Sequence, residues 1–176
     1  MNAVARLAAA ASLALAASGA QAVSIDAGTW YAFDFYDDIE SAAWVDLDLA
    51  PMSFEFVLTG PAVLRVVDGG LAGDRFEVKA NGVVLGTTSA PADAGDTSHD
   101  FDFVAAFADG RWSRGSWELG AGSYSITGRA VQFGVDLVAG SGGLMFSPMP
   151  VPEPGSWALL ATGGLMMAGA LRRARR

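Results

Sequence analysis

The sequence predicts an all-β fold, a single antiparallel β-sandwich that is jelly-roll-like. Three observations lead to this prediction. Short apolar and aromatic segments recur between residues 24 and 148, separated by Gly, Asp and Pro turn signals at intervals of about 8–12 residues. No long amphipathic helix interrupts them. Between the two apolar ends of the chain, residues 23–150 are enough for one hydrophobic core.

The first 22 residues have the parts of a secretory signal peptide. Arg6 supplies positive charge, residues 7–17 form a run of Ala and Leu, and Ala20-Gln21-Ala22 is an A-x-A cleavage site. We expect a signal helix here, cleavage after Ala22, and a mature chain that begins at Val23. The folded domain is therefore assigned to residues 23–147.

The first half of the domain contains the clearest strand signals. Alternation along Phe54, Phe56 and Leu58 places these side chains on one face. Asn81-Gly82 predicts a type I′ hairpin, because both residues accept positive φ. An acidic turn, residues 37–40, follows the first strand. The predicted strands are residues 30–36, 53–59, 62–68, 75–80 and 83–87.

The second half gives weaker signals. Residues 101–107 fit either a strand or a helical turn, and both interpretations stay open. Residues 116–119 and 123–127, separated by Gly-Ala-Gly, predict another hairpin. Alternating apolar residues over 131–138 predict a final long strand. The Gly-, Ser- and Pro-rich residues 139–150 resemble a linker, in which residues 144–146 could add a strand.

Charge and cysteine content exclude several classes of function. The chain has no Cys, so disulfides, cysteine nucleophiles and Cys-ligated metals are excluded. Residues 23–150 hold 18 acidic and six basic residues, a net charge of −12. Nucleic acid is therefore excluded as a partner, because phosphate binding needs clustered Lys and Arg. Divalent cations and neutral or cationic polymers fit this charge better.

The C-terminal end has three parts in a fixed order. Val151, Pro152, Glu153 and Pro154 form a stiff extended peptide, within a linker assigned to residues 148–156. Residues 157–171 are uncharged, and as a helix they would reach roughly 22 Å. We expect a short transmembrane helix that needs local thinning of the bilayer. The basic tail 172–176 should remain cytoplasmic, and its arginines are Arg172, Arg173, Arg175 and Arg176.

This tail resembles the PEP-CTERM sorting signal of Gram-negative bacteria. The resemblance implies that an exosortase, a membrane-bound processing enzyme, cuts near the Pro-Glu-Pro motif after a transient stay in the inner membrane. It further implies release to the cell surface or the extracellular matrix. An ordinary tail anchor with a chance Pro-Glu-Pro is the alternative.

Two internal blocks are similar to the ectodomains of many PEP-CTERM proteins. One runs from Val66-Val67-Asp68 through residues 73–78 to Gly86-Thr87-Thr88-Ser89, and the other covers Arg114-Gly115-Ser116 and residues 119–126. This similarity is looser than that of the tail. It implies no particular biochemical activity.

Asp68 and Asp74 bracket a Gly-rich turn and suggest a calcium site. Ca²⁺ takes six to eight oxygens, and loops between sandwich strands can supply carboxylates and carbonyls. Glu77, or the acidic turn at Asp37 and Asp38, could complete the set. The alternative is that both Asp side chains cap turns through backbone amides. No other cofactor is expected.

Tryptophans suggest a carbohydrate-binding surface. Trp112 lies between Arg111 and Arg114 in a predicted loop, which makes it the best candidate for stacking on a sugar ring. The alternative is that Trp30, Trp44, Trp112 and Trp117 fill the core.

Enzymatic activity is not expected. His99, the only histidine, lies beside Asp100 and Asp102, but the sequence has no Gly-x-Ser-x-Gly elbow to pair with them. The acidic residues include no pair marked for glycoside hydrolysis. The sequence therefore predicts an exported structural or adhesive component of an exopolysaccharide or biofilm matrix. The alternatives are a carbohydrate-binding module and a small secreted hydrolase.

Overall fold

The computed structural model describes residues 21–91 and 99–150. Those residues form nine strands, one short α-helix and a single 3-10 turn at Glu40–Ala42. The strands are β1 (Gln21–Ser24), β2 (Tyr31–Tyr36), β3 (Met52–Leu58), β4 (Ala62–Gly69), β5 (Arg75–Ala80), β6 (Val83–Thr87), β7 (Arg114–Leu119), β8 (Gly122–Gln132) and β9 (Ala139–Pro148), and the helix is α1 (Phe103–Ala108).

The strands form two sheets that pack face to face. One sheet has the order β1-β3-β8-β5-β6, and the other has the order β2-β9-β4-β7. Every neighbouring pair is antiparallel except β1 with β3. From β2 onwards, this alternation of early and late strands is the order of a jelly roll. The predicted antiparallel sandwich is confirmed.

Aromatic side chains fill the space between the sheets. Phe33 stacks on Trp44 with ring centroids 3.9 Å apart, and Phe76 meets Phe33 edge-on at 5.2 Å. Phe54 is fully buried beside them. Offset and edge-on contacts of this kind add to the burial of apolar area. The alternation predicted for β3 is confirmed, because Phe54, Phe56 and Leu58 all point into this core.

The predicted hairpin at Asn81-Gly82 is confirmed. β5 pairs antiparallel with β6, and the two turn residues have φ of 50° and 79°. The Asn81 side chain also contacts β8: its Nδ2 donates to the Ser123 carbonyl at 3.0 Å and its Oδ1 accepts from the Ser125 N–H at 2.8 Å. The turn is therefore held by the neighbouring strand as well as by its own geometry.

The second predicted hairpin is wrong. β7 pairs with β4 in one sheet, whereas β8 pairs with β3 and β5 in the other. The chain crosses from one sheet to the other at Gly120 and Ala121. A Gly-rich turn signals a change of direction but does not say whether the next strand stays in the same sheet.

The predicted final strand at residues 131–138 is also wrong. β8 ends at Gln132, and the chain then turns through Asp136, which has a φ of 60°. Val135 and Val138 are exposed. The alternation of valines imitates a strand, but these side chains have no core to enter.

β9 replaces most of the predicted linker at residues 139–150 and includes residues 144–146, which the sequence indicated as a possible strand. It lies between β2 and β4, and its glycines face aromatic side chains of β2. Phe33 lies opposite Gly142 and Phe35 opposite Gly140. A Cβ on Gly140 would lie 2.5 Å from the Phe35 ring, and one on Gly142 would overlap Phe33. The segment resembles a linker in sequence because the space over its glycines is filled by phenylalanines of the neighbouring strand β2.

Residues 101–107, which fitted strand or helix, lead into α1 and form most of it. The Asp102 carboxylate caps it by accepting from the N–H groups of Val104 and Ala105 at 3.1 and 3.0 Å. Phe103 lies against Gly69 and Gly143 on the outer face of the second sheet. The helix thus covers part of that face.

Both predicted terminal helices lie outside the described residues. Within residues 21–91 and 99–150, no helix is long and apolar enough to cross a membrane. The described chain begins in β1, which contains Ala22 and Val23, while Ala20 precedes it. At the other end, the Met149 N–H donates to the Pro61 carbonyl at 2.8 Å. The sorting motif 151–154 and the arginines at 172–176 lie outside the described residues, and their assignments stay predictions.

Candidate functional site

Two buried aspartates lie together at one end of the sandwich. Asp68 is near the end of β4 and Asp74 directly precedes β5, with the Gly-rich loop 69–73 between them. Asp68 Oδ2 accepts from the N–H groups of Gly73 and Asp74, at 2.9 and 3.0 Å. The first carboxylate therefore folds the loop back on itself and brings the second one beside it.

Asp74 fixes a second loop. Its Oδ1 accepts from the Gly134 N–H at 2.8 Å, in the connection between β8 and β9. The side chains of Asp68 and Asp74 are 0% and 1% exposed. One oxygen on each, Asp68 Oδ1 and Asp74 Oδ2, has no hydrogen-bond partner. Unpaired carboxylate oxygens in such a position are costly.

The pKa values of both carboxyls are raised. Burial, and then the nearby charge of Asp74, raise the pKa of Asp68 to about 8, against the opposing effect of its backbone hydrogen bonds. Burial raises the pKa of Asp74 to about 6, partly offset by the Gly134 N–H. Near neutral pH the pair therefore retains a proton or needs a cation.

A small cavity lies against Asp74. Its volume is about 120 Å³, and the aspartate, Gly69, Gly140 and Ser141 contribute to its wall. A Cβ on Gly140 would lie 2.5 Å from Asp74 Oδ2, so this oxygen packs directly against the glycine beside the cavity. Leu71, Phe101 and Leu137 also line the cavity.

Glu77 does not join the two aspartates. It accepts from Arg129 Nε at 3.0 Å, and Lys79 Nζ lies 3.6 Å away. The hydrogen bond from Arg129 lowers the pKa of Glu77. Within the described residues no group of three His, Cys, Asp or Glu side chains is placed to hold a metal. Asp37 and Asp38 likewise do not complete a carboxylate triad, so further ligands would have to be backbone or water oxygens.

The expectation for Trp112 is wrong. Its side chain is fully buried with Val67, Ala72 and Ala106 in a second apolar cluster on the outer side of the sheet. The predicted loop position is correct, since Trp112 lies between α1 and β7, but its side chain packs against Ala106 of α1 instead of facing solvent. Trp112 therefore offers no face to a sugar.

The other described tryptophans also pack inward or against neighbours. Trp44 belongs to the main core, and Trp117 packs at its edge. Trp30 is partly buried, with its ring centroid 5.9 Å from that of Phe103 and 5.7 Å from that of Phe107. Along residues 21–91 and 99–150 no tryptophan is classed as exposed.

His99 is part of a structural ion-pair cluster. Its Nε2 lies 3.2 Å from Asp109 Oδ2, and Arg111 Nη2 donates to the same oxygen at 2.7 Å. The hydrogen bonds from Arg111 are the main reason that the pKa of Asp109 lies well below its usual range. The cluster ties the start of the α1 region to the loop before β7.

A groove beside β2 is lined by three acidic residues. Its volume is about 400 Å³, and Asp34, Asp46 and Asp48 contribute to its wall. Asp46 Oδ1 accepts from the N–H groups of Asp48 and Ala50, both at 2.9 Å, so it caps its own turn. Asp34 is hydrogen-bonded to the Ser141 hydroxyl. These bonds are the local roles expected of turn and strand carboxylates.

The sequence did not indicate Gly134, Gly140 or Ser141 as part of the aspartate site. Gly134 lies in the segment predicted as a strand, and the other two lie in the predicted linker. Their contribution comes from the backbone and from the lack of a side chain, so no residue pattern marks them.

No protein family and no curated protein matches the chain. The solved structures that match the chain include two with low sequence identity. One is the pre-peptidase C-terminal domain of a collagenase from Bacillus anthracis, with 10% identity, a TM-score of 0.39, and coverage of 73% of this chain and 97% of that one. The other is CorA, a surface-associated copper-binding protein of Methylomicrobium album BG8, with 10% identity, a TM-score of 0.44, and coverage of 74% and 98%. Neither similarity assigns a function to this chain.

Proposed function

We propose that this chain is an exported protein that an exosortase processes and sorts to the cell surface or the extracellular matrix of a Gram-negative bacterium. Its inner-membrane stage is transient. In its final location it serves as a structural or adhesive component of an exopolysaccharide or biofilm matrix. The protein is not proposed to be an enzyme.

One observation carries the sorting proposal: the two ends of the sequence carry opposite halves of an export route. The A-x-A site at residues 20–22 follows an apolar leader, and Pro152-Glu153-Pro154 precedes an apolar run and a basic end. Without such a route, the order of the motif, the apolar run and the basic end would be a coincidence. The resemblance to PEP-CTERM tails explains these parts together.

The folded domain is compatible with processing at the motif. β9 ends at Pro148, and the hydrogen bond from Met149 to Pro61 is the last one described along the chain. The motif at 151–154 follows the end of β9 in sequence, so cutting near it would leave every described strand in the released protein.

The packed interior and the acidic charge of the domain support a structural role. The interior is filled by stacked aromatic rings, and the tryptophan that suggested a sugar platform is buried. The acidic surface, with a net charge of −12 over residues 23–150, favours solubility outside the cell. Nothing in the described part of the chain favours the carbohydrate-binding alternative at Trp112 or the hydrolase alternative at His99.

Variants of the tail test the sorting proposal in cells that possess an exosortase. Changing Pro152 and Pro154 to Ala, or deleting residues 172–176, should leave full-length protein in the membrane fraction. Pro150→Ala is the matched control, since it removes a proline outside the motif and should be released normally. Cell fractionation with mass spectrometry of the released C-terminus gives the measurement. Normal release of both test variants would contradict the proposal.

A further inference from the structure

We propose that Asp68 and Asp74 form a binding site for one Ca²⁺ ion at the end of the sandwich, between the β4–β5 loop and the β8–β9 connection. The site is independent of the sorting proposal. It rests on the geometry of the two carboxylates and of the cavity beside them.

The first argument is the pair of unsatisfied oxygens. Asp68 Oδ1 and Asp74 Oδ2 are buried and have no hydrogen-bond partner, while the other oxygen of each carboxylate is fixed by backbone N–H groups. The fixed oxygens orient the side chains, and the remaining ones are left to a ligand. A cation beside Asp74 would satisfy its Oδ2 and offset the negative charge of the pair.

The second argument is space at the unsatisfied oxygen. The cavity of about 120 Å³ borders Asp74, and the missing side chain of Gly140 leaves room beside Oδ2. A water molecule takes roughly 30 Å³ of liquid volume. The cavity can therefore hold an ion together with some of its water, although only one of the two carboxylates forms part of its wall.

The donor set selects the kind of ion. The described residues near the cavity offer carboxylate and backbone oxygens, the hard ligands that Ca²⁺ accepts in flexible geometry. The chain has no Cys, and His99 is paired with Asp109 in a separate cluster, so the soft and imidazole ligands of transition metals are not provided. With two carboxylates, the affinity should be in the range of extracellular calcium modules, about 10⁻⁴–10⁻³ M.

Calorimetric titration of the purified, EDTA-treated chain with CaCl₂ at pH 7 tests the proposal. We expect saturable binding with a stoichiometry of about one ion per chain, whereas weak binding to the exposed acidic surface would give no defined stoichiometry. Thermal unfolding at increasing Ca²⁺ should show a Tm that rises with the logarithm of the concentration.

Two near-isosteric variants and a control locate the site. Asp74→Asn and Asp68→Asn should each weaken Ca²⁺ binding at least about tenfold and lose the Tm shift. Asp26→Asn removes one charge from an exposed turn and should bind like the wild type. Either variant alone suffices if the other fails to fold. The absence of saturable binding at about one ion per chain, a Tm that does not change with Ca²⁺, or an unchanged response in the test variants would overturn the proposal.

Discussion

Asp68 has two roles that act in opposite directions on stability. One oxygen organises the loop by accepting two N–H groups, which stabilises the turn between β4 and β5. The other oxygen is buried without a partner, which disfavours the ionised form. The net effect depends on pH, because protonation removes the cost of burying the charge and leaves an oxygen that can still accept.

In the absence of metal, the pair should make the protein less stable as pH rises. The folded-state pKa values, about 8 for Asp68 and about 6 for Asp74, exceed the ordinary value of 3.8. The folded state therefore binds more protons than the unfolded state above about pH 4. The resulting stabilisation is complete below that pH and is lost as pH rises towards about 8. Urea unfolding in EDTA between pH 4.5 and 8.5 measures the slope.

Asp68→Asn provides the comparison for this pH dependence. The amide keeps an oxygen acceptor but cannot ionise, so the free energy of unfolding should decline less between pH 5 and 8 than in the wild type. Asp26→Asn should retain the wild-type slope. Glu77 has the opposite pH dependence, because the hydrogen bond from Arg129 lowers its pKa in the folded state. The stabilisation it provides is therefore present above its ordinary pKa of 4.5 and is lost only as the pH falls below that value. Equal slopes for wild type and Asp68→Asn would rule out this account.

At the scale of elements, β9 depends on the absence of side chains. Phe33 and Phe35 of β2 occupy the space above Gly142 and Gly140, and Phe103 of α1 lies against Gly143. The glycines lower the intrinsic preference for a strand. Contacts with rings from both sides of the sheet offset that loss, so the strand is stabilised by its neighbours.

Gly142→Ala should therefore destabilise the fold by about 1–3 kcal/mol, the usual cost of overpacking. The added methyl would overlap the Phe33 ring, which itself is stacked on Trp44 and has little room to move. Gly120→Ala is the matched control, because a Cβ there meets no atom within 4 Å. Chemical denaturation of both variants measures the difference. A Gly142→Ala variant as stable as the control would show that the ring can move aside.

Local sequence patterns predicted the elements whose conformation depends only on their own residues. The alternation in β3 was sufficient to identify its buried face, and Asn81-Gly82 was sufficient to identify a turn with positive φ. β9 and the exposed Val135 and Val138 were misinterpreted, since burial there depends on which partner lies opposite. At the candidate site, Asp68 and Asp74 were predicted from their Gly-rich spacing, whereas the exclusion of Glu77 needed the position of Arg129.

At the scale of the whole molecule, the net charge of the domain favours cations as partners. The domain carries a net charge of −12, which raises the local concentration of cations around it. Most of its carboxylates are solvated, and the buried pair lies at one end of the sandwich. An ion from the surrounding medium would therefore couple two loops that join different sheets, the β4–β5 loop and the β8–β9 connection.

The topology also predicts where the chain can be shortened. A chain that stops after Pro150 keeps every described strand, and it keeps the bond from Met149 to Pro61. It should therefore unfold cooperatively. A chain that stops after Val138 loses β9, which lies between β2 and β4, and so leaves these two strands without the partner they share.

The chain that stops after Val138 should therefore fail to fold. If residues 139–150 were only a linker, removing them would not affect folding. Circular dichroism and thermal unfolding of the two truncated chains measure the contrast. Gly142→Ala in the chain ending at Pro150 serves as an internal reference, because it weakens β9 without removing it and should give an intermediate Tm. Cooperative unfolding of the chain ending at Val138 would mean that β2 and β4 can close the sandwich without β9, contrary to the register in which both strands pair with it.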